Sequence, residues 1–270
     1  MITIDQAIFE RVASSATNAD NSVFEKIEPH IQWAEEQLKV ELFGDMMDKL
    51  DTVPNLTAVA TRLVCLRAYY EQIPHLDLVL TATGFGIVSN TNLAPASADR
   101  VRALREQVKK AYEDDYDRAI EMLIGTEWAD TTQARINIVN MIYTARILRQ
   151  YVDKSEVHRS DLELAHVAIY KAEEKVREKI SSEFFDSLLD KIRHDKIAKL
   201  DTGIISMICR FIGFCIAKEW SSARELLIKI EDFAEKNVDT FVDYRDSTAY
   251  KVKHFQTYQN EKEHTTFFFG

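Results

Sequence analysis

Glycine and proline are scarce, 7 and 4 among 270 residues. All-β folds consume such residues in turns, so their scarcity argues for long helices. Cysteine is rarer still, 3 in all and odd in number. Cys65, Cys209 and Cys215 lie in apolar stretches, which argues against a disulfide framework and reads as buried thiols in a reducing compartment. No apolar run is long enough to span a bilayer, and the longest, 204–217, is interrupted by Arg210. Met1-Ile2-Thr3-Ile4-Asp5 lacks the basic start and apolar core of a signal peptide. The chain therefore reads as neither exported by that route nor integral to a membrane. Basic charge is also short: 34 Lys and Arg against 44 Asp and Glu, a net charge of -10. Proteins that wrap nucleic acid need a basic surface. An acidic excess serves solubility, or a surface that must not hold DNA passing nearby.

What is present suits an all-α protein, a multi-helix bundle with a minor extended β element. A hydrophobic content of 46% is enough to fill a core in one large domain or two small ones. A short helix is expected over 4–13, then a polar linker over 14–22. Phe24, Ile27, Ile31, Ala34, Leu38 and Leu42 recur at three and four, one face of a second helix that Pro29 could start. A short turn at 46–50 leads to a third helix over 56–72. Residues 76–88 are rich in β-formers and contain two glycines, which predicts one or two short strands followed by a loop to Pro95. Ser97 can cap a long helix over 98–124 that Gly125 ends. Further helices are expected over 131–152, as one apolar central element, from 160 or 161 to 180, over 181–192, over 204–220, and over 226–244. The tail, 250–270, is polar until Phe267, Phe268 and Phe269.

Two stretches of the sequence are alike. Ile31, Ala34, Glu35, Glu36 and Leu38 are echoed by Ile169, Ala172, Glu173, Glu174 and Val176. Met46-Met47-Asp48-Lys49-Leu50 is echoed by Leu188-Leu189-Asp190-Lys191-Ile192, and an apolar helix follows in both, 56–71 and 204–219. Amphipathic helices converge on such patterns, but three matches in order are also what a duplication leaves, as an internal pseudo-repeat. The organisation read from this is a first helical unit at 1–125 with an extended loop at 76–95. A connecting central helix at 126–158 leads to a second unit at 159–249 and a tail at 250–270.

The familiar catalytic and ligand-binding motifs are incomplete in this sequence. Gly84-Phe85-Gly86 follows an apolar run, but Ser89 stands where a dinucleotide fingerprint needs its third glycine, and no helix starts there. Glu163 and His166 have the Glu-x-x-His spacing of di-iron bundles, yet the second match, Glu261 and His264, lies in the tail. The remaining histidines are scattered, and no Gly-x-Ser-x-Gly elbow occurs. No catalytic residue, cofactor or metal site is expected, although an enzyme with an unrecognised site stays open. The long helix is peculiar in charge: Arg100, Arg102 and Arg105 near its start, then Glu113, Asp114, Asp115 and Asp117. Cations at a helix N-terminus oppose the macrodipole by up to about 1 kcal/mol each. Either the helix presents a solvated face, or its two signs meet neighbours in a ring of identical subunits.

Thr83-Gly84-Phe85-Gly86-Ile87-Val88-Ser89-Asn90-Thr91-Asn92-Leu93-Ala94-Pro95-Ala96-Ser97, followed by an arginine-rich helix, resembles an uncharacterised helical family of phages and prophages of gut bacteria. The likeness is concentrated between Leu80 and Leu123. It implies a structural virion protein of head-to-tail connector or adaptor type, with no catalytic residues. By that analogy the partners are further copies in a homo-oligomeric ring and the portal and tail proteins of the same phage. DNA would pass through an acidic lumen without specific binding. The place implied is the virion, assembled in the bacterial host cytoplasm. Thr83, Gly84, Phe85, Gly86, Arg100, Arg102, Arg105, Asp114, Asp115, Phe267, Phe268 and Phe269 are the candidate assembly contacts. The segments at 78–88 and 265–269 could add strands to a neighbour, or the terminal phenylalanines could pack on their own chain. A cytosolic helical adaptor acting through protein contacts is the alternative.

Overall fold

The scarcity of turn residues is realised as twelve α-helices among the described residues. A computed structural model of the chain describes residues 2–13, 22–76, 78–81, 84–87 and 97–255. Thr83, Phe267, Phe268, Phe269, Glu261, His264 and most of the linker at 14–22 lie outside the described residues. α1 (Gln6–Val12) starts at Asp5, whose side chain accepts the Ile8 amide, and buries Phe9. α2 (Ser22–Leu38) and α3 (Leu56–Gln72) pack together, and α4 (Ala98–Leu123) lies along α3. Ser97 caps α4 through the Arg100 amide, and Gly125, at φ +77°, lets the chain leave it.

Two short strands, β1 (Leu78–Thr81) and β2 (Gly84–Ile87), fill the gap between α3 and α4 as an antiparallel pair, Leu78 opposite Ile87 and Thr81 opposite Gly84. Gly84, Phe85 and Gly86 therefore belong to a strand, with no helix N-terminus at the glycines.

α7 (Arg159–Ile180) packs on α9 (Lys199–Ile216), and α10 (Trp220–Lys236) packs on α9. α8 (Ser182–Arg193) is separated from α7 by Ser181, buried at φ 128° with its hydroxyl accepting the Phe184 amide. α9 approaches the chain before it so closely that a Cβ on Gly213 would lie 2.4 Å from the Tyr151 carbonyl. Among the described residues no helix is long and apolar enough to cross a membrane.

Three expectations are corrected. α2 starts at Ser22 and runs through Pro29, which sits on its exposed side, where a carbonyl without a helical partner can face water. The single central helix over 131–152 is two short ones, α5 (Thr132–Asn137) and α6 (Ala145–Arg149), with irregular chain between them. The final helix over 226–244 ends at Lys236. Asn237 turns its amide back onto the Phe233 carbonyl, and α11 (Val242–Arg245) and α12 (Thr248–Lys253) follow.

Candidate functional site

Where α2 ends, one π-turn, Lys39–Phe43, closes on Gly44 at φ +57°. Three successive carbonyls are then left without helical donors. Each is met by a side chain from the stretch before and within α5. Gln133 Nε2 donates to Val40 O at 3.2 Å, Asn137 Nδ2 to Glu41 O at 2.9 Å and Trp128 Nε1 to Leu42 O at 2.6 Å. Trp128 is fully buried.

The irregular stretch 138–144 has the converse arrangement, with amides satisfied by carboxylates. Glu173 of α7 accepts from Asn140 Nδ2 and from the Met141 amide, both at 2.7 Å. Asp117 of α4 accepts the Ala145 amide at 2.6 Å and pairs with Arg159 at 2.6 Å. Burial pushes the Glu173 carboxyl up to about 7 against the pull of those two hydrogen bonds. Burial likewise raises the Asp117 pKa, opposed chiefly by Arg159.

Between these two seams lies a cleft of about 700 Å³. Its walls are the π-turn (Val40, Glu41), α3 (Arg67, Tyr70, Glu71), α4 (Lys109, Tyr112, Tyr116), α5 (Ile136) and α7 (Arg159, Glu163). Arg67 grips Glu41 with two bonds, 2.5 and 3.0 Å, and lies 5.4 Å from the Trp33 ring. Arg159 stacks 4.3 Å above Tyr116, whose hydroxyl donates to Asn137 Oδ1 at 3.0 Å. Burial pushes Tyr112 up to about 12 and Tyr116 higher still, so both are protonated donors at neutral pH. The cleft's arginines are thus committed to carboxylates of the chain itself. Glu163 makes no hydrogen bond or ion pair among the described residues.

The sequence-predicted site residues fall into different settings. Arg100 and Arg102 are exposed on the first turns of α4, Arg102 beside Asp99 at 3.4 Å. Arg105 is half-buried, 4.5 Å over the Tyr70 ring. Asp114 faces solvent, but Asp115 is buried and paired with Arg62 of α3 at 2.8 Å, so it is an internal strut and not a surface contact. Glu113 and Asp117 are buried as well, which overturns the reading of this acidic run as a solvated face. The charge order of α4 has an internal reason: its acidic half faces cations on α3 and α7. Glu163 and His166 are exposed, and no group of three or more metal-ligating side chains occurs among the described residues. Cys65 and Cys209 are buried thiols pushed up to about 12 by desolvation.

Residues 20–138 match a family of unknown function (DUF6712). That span runs from the start of α2 to the end of α5. It holds the π-turn, its three side-chain caps and most of the cleft, while Arg159 and Glu163 lie beyond it. No curated protein and no solved structure matches the chain.

No sequence pattern announces the caps at 128–137 or the pairing of Asp117 with Arg159, because each joins residues far apart in the chain. One local signal was available. The stretch Ile136-Asn137-Ile138-Val139-Asn140-Met141-Ile142-Tyr143-Thr144 is dense in β-branched residues and asparagines, all weak helix formers.

Proposed function

We propose that the chain is a structural protein of a phage particle, a head-to-tail connector or adaptor that assembles as a homo-oligomeric ring between portal and tail and has no enzymatic role. The observation that carries this reading is an apolar face left open among the described residues. Leu164, 85% exposed, Val167 and Tyr170 stand on the outer side of α7, with Ile136 and Val139 exposed nearby in the chain's middle. Exposed apolar side chains gathered on one element favour association with another protein. The cleft's own groups are satisfied within the chain: its arginines are neutralised by carboxylates and its tyrosines keep their protons. The likeness of residues 80–123 to phage-encoded helical proteins gives the direction. The net charge of -10 suits a channel through which DNA slides without adhering.

We also read the chain as a duplicated helical unit. Glu35 and Glu173 occupy equivalent places in the repeated pattern, and each accepts a backbone amide from far upstream, Ile2 at 2.8 Å and Met141 at 2.7 Å. A capped short helix follows in both: Asp5 accepts the Ile8 amide, and Thr144 accepts the Ile147 amide. The order of packing, α2 on α3 on α4 and α7 on α9 on α10, is the same.

Electron microscopy of the purified chain and of the particles tests the function. Closed rings, and the chain at the junction of head and tail, are expected. A stable monomer that never enters a particle would sink the reading and favour a cytosolic adaptor.

A further inference from the structure

If the two halves are equivalent units, the surfaces of one unit forecast those of the other. The cleft of the first unit is walled by α3 and α4 and closed on its far side by the start of α7, which belongs to the second unit. There Arg159 pairs with Asp117 and Ser160 reaches Glu113 at 3.3 and 3.4 Å. The second unit has a groove in the matching place, between α9 and α10, with a volume of about 320 Å³. Phe211, Cys215, Trp220 and Leu227 line it. Of these, Cys215 stands in α9 where the cleft residue Arg67 stands in α3. Among the described residues this groove stays open. Trp220 is 58% exposed, Ile228 on the same helix is 53% exposed, and Lys175 lies 5.4 Å over the Trp220 ring.

We infer that this open groove receives the first turns of α2 from a second copy of the chain, as the first unit's cleft receives the first turns of α7. The inference rests on the duplication and the ring proposed above. Ser22 and Glu25 hold the positions in α2 that Ser160 and Glu163 hold in α7. The groove carries Lys175 and Arg224, and the first turns of α2 carry exposed Glu25 and Glu28 with a single lysine, Lys26, between them, a net acidic face for a basic groove. Donor and receiver are different patches of one chain, so the contact is head-to-tail and repeats from copy to copy until a ring closes. It continues between chains the contact that already joins the two units within one.

The test is sedimentation or mass photometry of the full chain over a concentration series, with circular dichroism melts to check folding. Trp220→Asp is expected to weaken association about tenfold or more, since it puts a charge at the centre of an apolar contact. Lys175→Glu with Arg224→Glu should weaken it, as should Glu25→Lys with Glu28→Lys. All four together should restore it, because the reversed charges meet again across the contact. Association unchanged by Trp220→Asp, or four reversals that fail to rescue while the chain still associates, would overturn this contact and leave the ring standing. A chain that is monomeric at every concentration removes both.

Discussion

Two breaks in the helical chain, 39–44 and 138–145, are held in opposite ways. At the first, three carbonyls are capped by neutral donors, Gln133, Asn137 and Trp128. At the second, amides are capped by two carboxylates, Glu173 and Asp117. The carbonyl caps of the first break are dipoles that do not titrate, although Arg67 pairs with Glu41 beside them. The second is built from buried charge, which desolvation opposes and which must be balanced by Arg159 or by a proton. The difference teaches that one molecule can contain a passive joint and a titratable one within a single core.

Trp128→Ala should have the largest effect. It empties a fully buried indole site and frees the Leu42 carbonyl, at a cost of about 3–5 kcal/mol in urea unfolding, with little dependence on pH. Asp117→Ala leaves Arg159 unpaired and the Ala145 amide without its acceptor. A loss of about 3 kcal/mol or slightly more is expected, and a loss below 1 would mean that the second joint does not depend on its charge.

Glu173 gives the joint its pH dependence. Its folded pKa is raised, from 4.5 to about 7, so the folded chain holds the proton more tightly than the unfolded one. Stability from this group is full below about pH 4.5, declines as pH rises through 7 and is level above, a fall on the order of 3 kcal/mol. Glu173→Gln should flatten that slope in melts taken from pH 5 to 8. It should also cost stability, since an amide offers one acceptor to two donors. An unchanged slope would place the titration elsewhere. The smallest effect is expected of Thr144→Ala, which removes only the neutral cap of α6 and should cost about 1 kcal/mol at every pH.

Much of this was legible in the chain. The apolar period located α2, α3, α4, α7 and α9, Ser97 and Gly125 marked the ends of α4, and the two glycines with their β-formers marked the hairpin. The breaks were less legible because their hydrogen bonds are non-local. Nothing beside Met141 announces that Glu173 will take its amide, and nothing beside Asp115 and Asp117 announces Arg62 and Arg159. A run of acids looks solvated until its partners are placed. The cleft depends on the same distant pairings and is as hard to read from the sequence.

The cysteines turn this architecture into a set of clocks. Cys65 sits in α3, and Cys209 in α9 with its sulfur 3.9 Å from the Met141 carbonyl, on the edge of the titratable joint. With both thiols pushed up to about 12, a maleimide must wait for the surrounding helices to part before it reacts. Alkylation rates at the two sites therefore time the opening of each half separately. Raising the pH from 6 to 8 should quicken Cys209 more than Cys65, beyond the common rise in thiolate, as Glu173 gives up its proton.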